Sequence, residues 1–174
     1  MPRRTLAVIL AGVTGAAAIA LPLIAASIWL FWGELAPYAA GQIGRPFDLA
    51  GIGPGARFAG LALSLTGALL QAFGLLGLRA TFLEAAEGRA LSARAIDGFR
   101  RFARVALIMV FFTIAERTGR VLIFSIADPE APRTLAIEAG TPEIKSLFMA
   151  LLLVFVAHVF AVAKRAKDEN DAFL

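Results

Sequence analysis

From Val105 to Ala127 the chain reads VALIMVFFTIAERTGRVLIFSIA. A hydrocarbon core of about 30 Å takes about 20 helical residues, so this stretch is long and apolar enough to cross a bilayer. Yet Glu116, Arg117 and Arg120 stand near its middle. A charge at that depth costs about 2.5–3.5 kcal/mol by insertion scales. A chain that keeps three must pair them, wet them or use them. The rest of the sequence has to supply the neighbours that make this stretch tolerable.

Those neighbours are visible as uncharged blocks. Of the 174 residues, 59% are hydrophobic and the mean hydropathy is +0.78. Soluble domains are usually about 45–50% apolar. The absence of cysteine excludes disulfides, a thiolate nucleophile and a cysteine metal site. The net charge of +4 would suit nucleic acid in a soluble chain. Here the basic residues sit beside apolar spans, which is the positive-inside pattern, and no direct nucleic-acid contact is expected.

Four spans are predicted, at about 5–32, 58–78, 105–127 and 144–163, forming one all-α, integral-membrane four-helix bundle. Thr5 to Trp32 carries no charge and ends in Trp29, Phe31 and Trp32, which read as an interfacial aromatic anchor. A signal-peptide core is normally about 7–15 residues. This run is longer, so a retained first helix is the reading, with cleavage near Ala25-Ala26 as the alternative. Gly33 to Arg57 is a Gly/Pro-rich connector. Within it, Gly53-Pro54-Gly55 looks like a phosphate loop but lacks the preceding strand and following Lys-Ser/Thr, so a turn entering the next helix is expected. On the second span Ala56, Gly60, Ser64, Ala68 and Ala72 recur every four residues, a small-residue stripe that lets helices approach closely in lipid.

The second span is expected to run on to Glu87, with Gly88 as its C′ residue. Ser92 then caps a new helix, with Leu91 placed to pack on Ile96. Ile96, Phe99 and Phe102 make an apolar stripe, while Arg94, Asp97, Arg101 and Arg104 occupy the remaining surface. This is an amphipathic cytoplasmic segment leading into the third span. It is either an interfacial turn or a docking face of Arg94, Arg100, Arg101 and Arg104 for anionic lipid or a cytoplasmic protein. Asp128 to Lys145 is a polar connector closing in Thr141-Pro142-Glu143, which reads as cap, N1 proline and first-turn acid. Lys164, Arg165 and Lys167 end the fourth span.

Arg3, Arg4, Arg79, Arg89, Arg94, Arg100, Arg101, Arg104, Lys164, Arg165 and Lys167 all fall on one side of a four-span chain. The other side has Arg45, Arg57, Arg133 and Lys145. Both termini are therefore expected in the cytoplasm of a multi-pass protein.

Glu116 lies about 16 Å into the third span, and Arg120 follows at i+4 in the favourable acid-before-base order. Arg117 and Arg120 can also snorkel outward. The same rise arithmetic puts Gln71 and His158 near the depth of Glu116, giving a candidate intramembrane cluster of Glu116, Arg117, Arg120, Gln71 and His158. Three readings follow: a structural knot, a proton, ion or ligand pathway, or a span boundary that leaves these groups interfacial. One histidine cannot supply a bis-histidine haem site in a single chain, and no metal-ligand spacing or Ser-His-Asp order stands out. No cofactor and no catalytic residue is expected.

Two short motifs carry a family likeness. Glu87-Gly-Arg-Ala-Leu-Ser-Ala-Arg-Ala-Ile-Asp-Gly-Phe-Arg-Arg-Phe-Ala103 resembles the G-x-x-F-S/T … A/V … L-R-x-I-A segment of the DUF2975 family of bacterial four-helix membrane proteins. Lys167-Asp-Glu-Asn-Asp171 resembles that family's closing E-N-D-L-T-V/I. Leu91 stands where the family has Phe, and Ala172-Phe173-Leu174 replaces the usual ending. The resemblance implies a bacterial inner-membrane protein. It also implies a cytoplasmic partner, since members are often encoded beside small helix-turn-helix regulators. The leading expectation is thus a non-enzymatic membrane signalling or interaction protein engaging such a transcription regulator. The alternative is a small transporter or channel subunit using Glu116 and Arg120. A homo-oligomer stays open.

Overall fold

In the computed structural model the described residues are 3–32, 53–127 and 140–171. They form four helices: α1 (Arg3–Leu30), α2 (Pro54–Ala86), α3 (Ala93–Ala127) and α4 (Thr141–Asp171). Each packs chiefly on its neighbour in sequence, α1 on α2, α2 on α3 and α3 on α4. The all-α four-helix bundle is as expected. Most of the connector expected over Gly33–Arg57, most of that over Asp128–Lys145, and the ending Ala172-Phe173-Leu174 lie outside the described residues.

Three helices, α1, α2 and α4, are long and apolar enough to cross a membrane, which supports a multi-pass membrane location. Their exposed side chains agree: Ile19, Phe58, Ile144, Phe148 and Phe155 all face outward. Such large apolar surfaces suit lipid rather than water. The three charges of the Val105–Ala127 stretch set α3 apart from the other helices. It is also one continuous helix of 35 residues, so the amphipathic segment and the expected third span have no break between them.

The helix ends follow local chemistry. α2 opens with Gly53 as N-cap and Pro54 in its first turn, so the Gly-Pro-Gly sequence is a helix entry. It closes in a Schellman motif: Gly88 N–H donates to Ala85 O at 3.1 Å and Arg89 N–H to Glu84 O at 2.9 Å. Gly88 takes φ +78°, which glycine adopts without penalty. Ser92 Oγ accepts from Ala95 N–H at 3.1 Å and so caps α3 as expected. At α4 the start falls one residue earlier than expected. Gly140 precedes the first turn, and its N–H donates to Glu143 Oε2 at 2.7 Å, the acid's half of a capping box.

Small residues set the packing. α1 turns Ala7, Ala11, Thr14 and Ala18 inward at 3–4 residue spacing. On α2 the predicted stripe splits in function. Gly60 receives the Trp29 ring, where a Cβ would come within 2.0 Å of it, and Ala72 is buried. A second set, Gly67, Gly74 and Gly77, faces α3. Gly77 and Gly98 cross backbone to backbone: a Cβ on Gly98 would lie 2.4 Å from Gly77 O, and one on Gly77 would lie 2.6 Å from Gly98 O. Thr81 Oγ1 closes this contact by donating to Ala95 O at 2.8 Å.

The tryptophans depart from the anchor expectation. Trp29 and Trp32 are buried and stacked, with centroids 4.6 Å apart, whereas Leu30 and Phe31 face out. Gly60 on α2 leaves a socket for the Trp29 ring.

Candidate intramembrane site

Glu116 and Arg120 meet as their spacing predicts. Arg120 Nη2 donates to Glu116 Oε1 at 2.8 Å, and the Glu116 side chain is only 13% exposed. The pair neutralises two of the three charges of the stretch. Arg120 Nε is buried with no hydrogen-bond partner among the described residues. Gly67 makes room for the neighbouring Phe112 ring, which a Cβ there would meet at 2.6 Å, and lies in ordinary contact range of Glu116 Oε2, 3.5 Å from the same Cβ position.

A cavity of about 300 Å3 opens beside this pair between α1, α2 and α3. Trp29, Trp32, Ile24 and Met109 give it apolar walls, and Gln71, Glu116 and Arg120 its polar groups. Such a combination, mostly apolar with a few polar groups that fix orientation, is what small-molecule sites use. Gln71 also borders a second cavity of about 500 Å3, between α3 and α4, where Glu143 and Ser146 lie. Arg117 turns toward that side, with Nη1 3.8 Å from Glu143 Oε1.

His158 stands apart from the expected cluster. It is exposed and lines a recess with Arg100 and Arg104, which precede Glu116 by sixteen and twelve residues, about 24 and 18 Å along α3. The register of α4 explains this. Glu143 pairs with Arg117 and Phe160 packs on Phe99 at 5.3 Å. α4 therefore begins opposite the middle of the charged stretch rather than its outer end, which carries His158 toward the start of α3. The expected depth assumed that both helices end level.

The four arginines expected on one docking face point three ways. Arg94 is exposed near the hairpin, with Nη1 3.8 Å from Glu84 Oε1. Arg101 turns into the α2–α3 contact, its guanidinium 5.0 Å from the Phe73 ring centroid in cation–π geometry. Its Nε is buried without a hydrogen-bond partner among the described residues. Arg100 and Arg104 face α4. The amphipathic pattern assigned Arg101 to the polar face, but residue 101 lies one turn beyond Asp97 and meets the gap that Gly77 leaves.

Glu84 organises the hairpin and was not singled out in the sequence. It is 7% exposed. Its Oε2 accepts from Arg89 Nε at 3.0 Å and from Ser92 Oγ at 3.1 Å. The Arg89 hydrogen bond holds its carboxyl below the usual range, against the opposing effect of burial. An acid eight residues before a capping serine is the only sequence trace of this contact.

Among the described residues no group of three or more His, Asp or Glu is placed to hold a metal ion. Comparison with protein-family models, curated proteins and solved structures finds no match.

Proposed function

We propose that this protein is a ligand-responsive membrane sensor, whose cavity between α1, α2 and α3 takes up a small, mostly apolar molecule with one hydrogen-bonding end. The observation that carries this reading is the Glu116–Arg120 pair at 2.8 Å, set in the same cavity as two inward-facing tryptophans and Gln71. A paired carboxylate still has lone pairs to offer a hydroxyl or amide. The tryptophan walls supply apolar contact area.

In this reading all four helices cross the bilayer. α3 runs antiparallel between α2 and α4, and its ion pair lowers the cost of its charges. Both termini and the α2–α3 hairpin lie on the cytoplasmic side, following the basic bias of the sequence. The continuous α3 links the cavity to that hairpin, where a cytoplasmic partner reads the ligand state. The resemblance to DUF2975 supports a bacterial inner-membrane setting and a helix-turn-helix regulator as the partner.

The chain has two tryptophans, both in the cavity wall, so intrinsic fluorescence reports occupancy directly. Titration in nanodiscs with a panel of small aryl alcohols, amides and quinones is expected to give saturable quenching for at least one class. Glu116→Gln is expected to weaken it. Linear, non-saturable quenching by every class would overturn the reading.

A transport reading has one observation in its favour: Gln71 borders both cavities, with Glu116 in one and Glu143 in the other. Proton flux in proteoliposomes abolished by Glu116→Gln would select it over the sensor.

A further inference from the structure

We infer that the recess between α3 and α4 formed by Arg100, Arg104 and His158 binds the phosphate of an anionic membrane phospholipid. The recess holds about 360 Å3, with Ala103, Val154 and Ala157 as its floor. Ala103 and Ala157 are buried, so the floor is packed bundle rather than open surface. Three nitrogen-bearing side chains from two helices converge on it.

The two arginines are under-used within the chain. Arg104 has no carboxylate partner among the described residues, and its Nε contacts only the Arg100 carbonyl, at 3.4 Å. Arg100 forms an ion pair with Asp97 at 3.7 Å, longer than a hydrogen bond and between solvent-facing side chains, so it engages the guanidinium only weakly. Guanidinium groups bind phosphate oxygens through paired N–H donors, and an imidazole N–H adds a third donor direction.

The surroundings point to a lipid rather than a soluble anion. One turn along α3 from Arg104, Ile108 is half exposed. On α4, Phe155 and Leu151 precede His158 by three and seven residues and are exposed too. These side chains make apolar rails leading from the recess toward the middle of the bundle. An acyl chain would lie along them with its phosphate at the cationic end. Basic pockets between membrane helices are where anionic headgroups bind.

The test uses the full chain purified in mild detergent. Its thermal unfolding is followed with added phosphatidylglycerol, phosphatidylcholine or inorganic phosphate. Phosphatidylglycerol is expected to raise the melting temperature above the other two. Arg104→Gln and His158→Gln alter exposed side chains, so each is expected to fold and to lose that excess. Photoreactive phosphatidylglycerol on the unaltered chain is expected to label peptides of α3 and α4 around the recess, a readout that needs no variant. Equal shifts with phosphatidylcholine, retention of the excess in both variants, or labelling elsewhere would overturn the site. The same shift with inorganic phosphate alone would assign the recess to a soluble anion and overturn the lipid.

Discussion

The α2–α3 contact and the α3–α4 contact share one helix and are built in opposite ways. The first is closed by glycines, with Gly77 and Gly98 backbone to backbone, and its hairpin is fastened by Glu84, Ser92 and Thr81. The second is held at separated points, the Arg117–Glu143 approach and the Phe99–Phe160 rings, with cavities between them. Close packing leaves no room for a ligand, and spaced packing leaves it between the points of contact. α3 therefore has one face that fixes position and another that offers space. The Glu116–Arg120 pair lies where α1 adds a third wall to the first contact.

The largest expected effect comes from Gly98→Ala. A methyl would meet the Gly77 carbonyl at 2.4 Å, and backbone cannot swing aside as a flexible side chain can. Overpacking of this kind costs about 1–3 kcal/mol. By contrast Leu151→Ala on the half-exposed face of α4 is expected to stay within about 0.5 kcal/mol. Thermal unfolding in detergent compares the two. A loss from Gly98→Ala no larger than that of Leu151→Ala would mean that the Gly77–Gly98 crossing has slack for a methyl and would remove the distinction.

Much of this architecture was legible in the sequence. Uncharged blocks marked α1, α2 and α4, Gly88 and Ser92 marked the hairpin, and the i+4 spacing of Glu116 and Arg120 predicted their bond. Other features depend on how helices rotate and slide against one another, which local pattern does not encode. Gly67, Gly74 and Gly77 do not share one four-residue repeat, so their common partner α3 was not visible. The stagger of α4 moved His158 out of the cluster. Arg101 belongs to a polar pattern by sequence, yet the space opposite Gly77 draws it inward. Glu84 gained its role only once the hairpin brought Arg89 and Ser92 to it.

A second test addresses the fastening of the tight contact. The Glu84 carboxyl is held below its ordinary value of 4.5, chiefly by the Arg89 hydrogen bond. A carboxyl depressed in the folded state contributes stability above its unfolded value and loses it as pH falls through the folded one. The melting temperature is therefore expected to drop as pH falls below 4.5. Glu84→Gln is expected to lower it at neutral pH, by less than Gly98→Ala does, and to flatten that acid dependence. An unchanged acid profile in the variant would place the titration elsewhere and leave the hairpin fastened by its caps alone.

A smaller expected effect than either Gly98→Ala or Glu84→Gln probes the spaced contact at one of its points. Phe99 and Phe160 pack with centroids 5.3 Å apart and planes inclined by 57°. Such aromatic pairs contribute about 0.5–1.5 kcal/mol beyond the area they bury. Phe160→Leu keeps an apolar side chain of similar reach and removes the ring, so it isolates that contribution. The double variant with Phe99→Leu is expected to cost less than the sum of the singles, because the second change has no partner ring left to lose. If Phe160→Leu lowered the melting temperature as far as Gly98→Ala, α4 would be clamped as firmly as α2. The cavities beside it would then be rigid voids rather than space that a ligand or a lipid can enter.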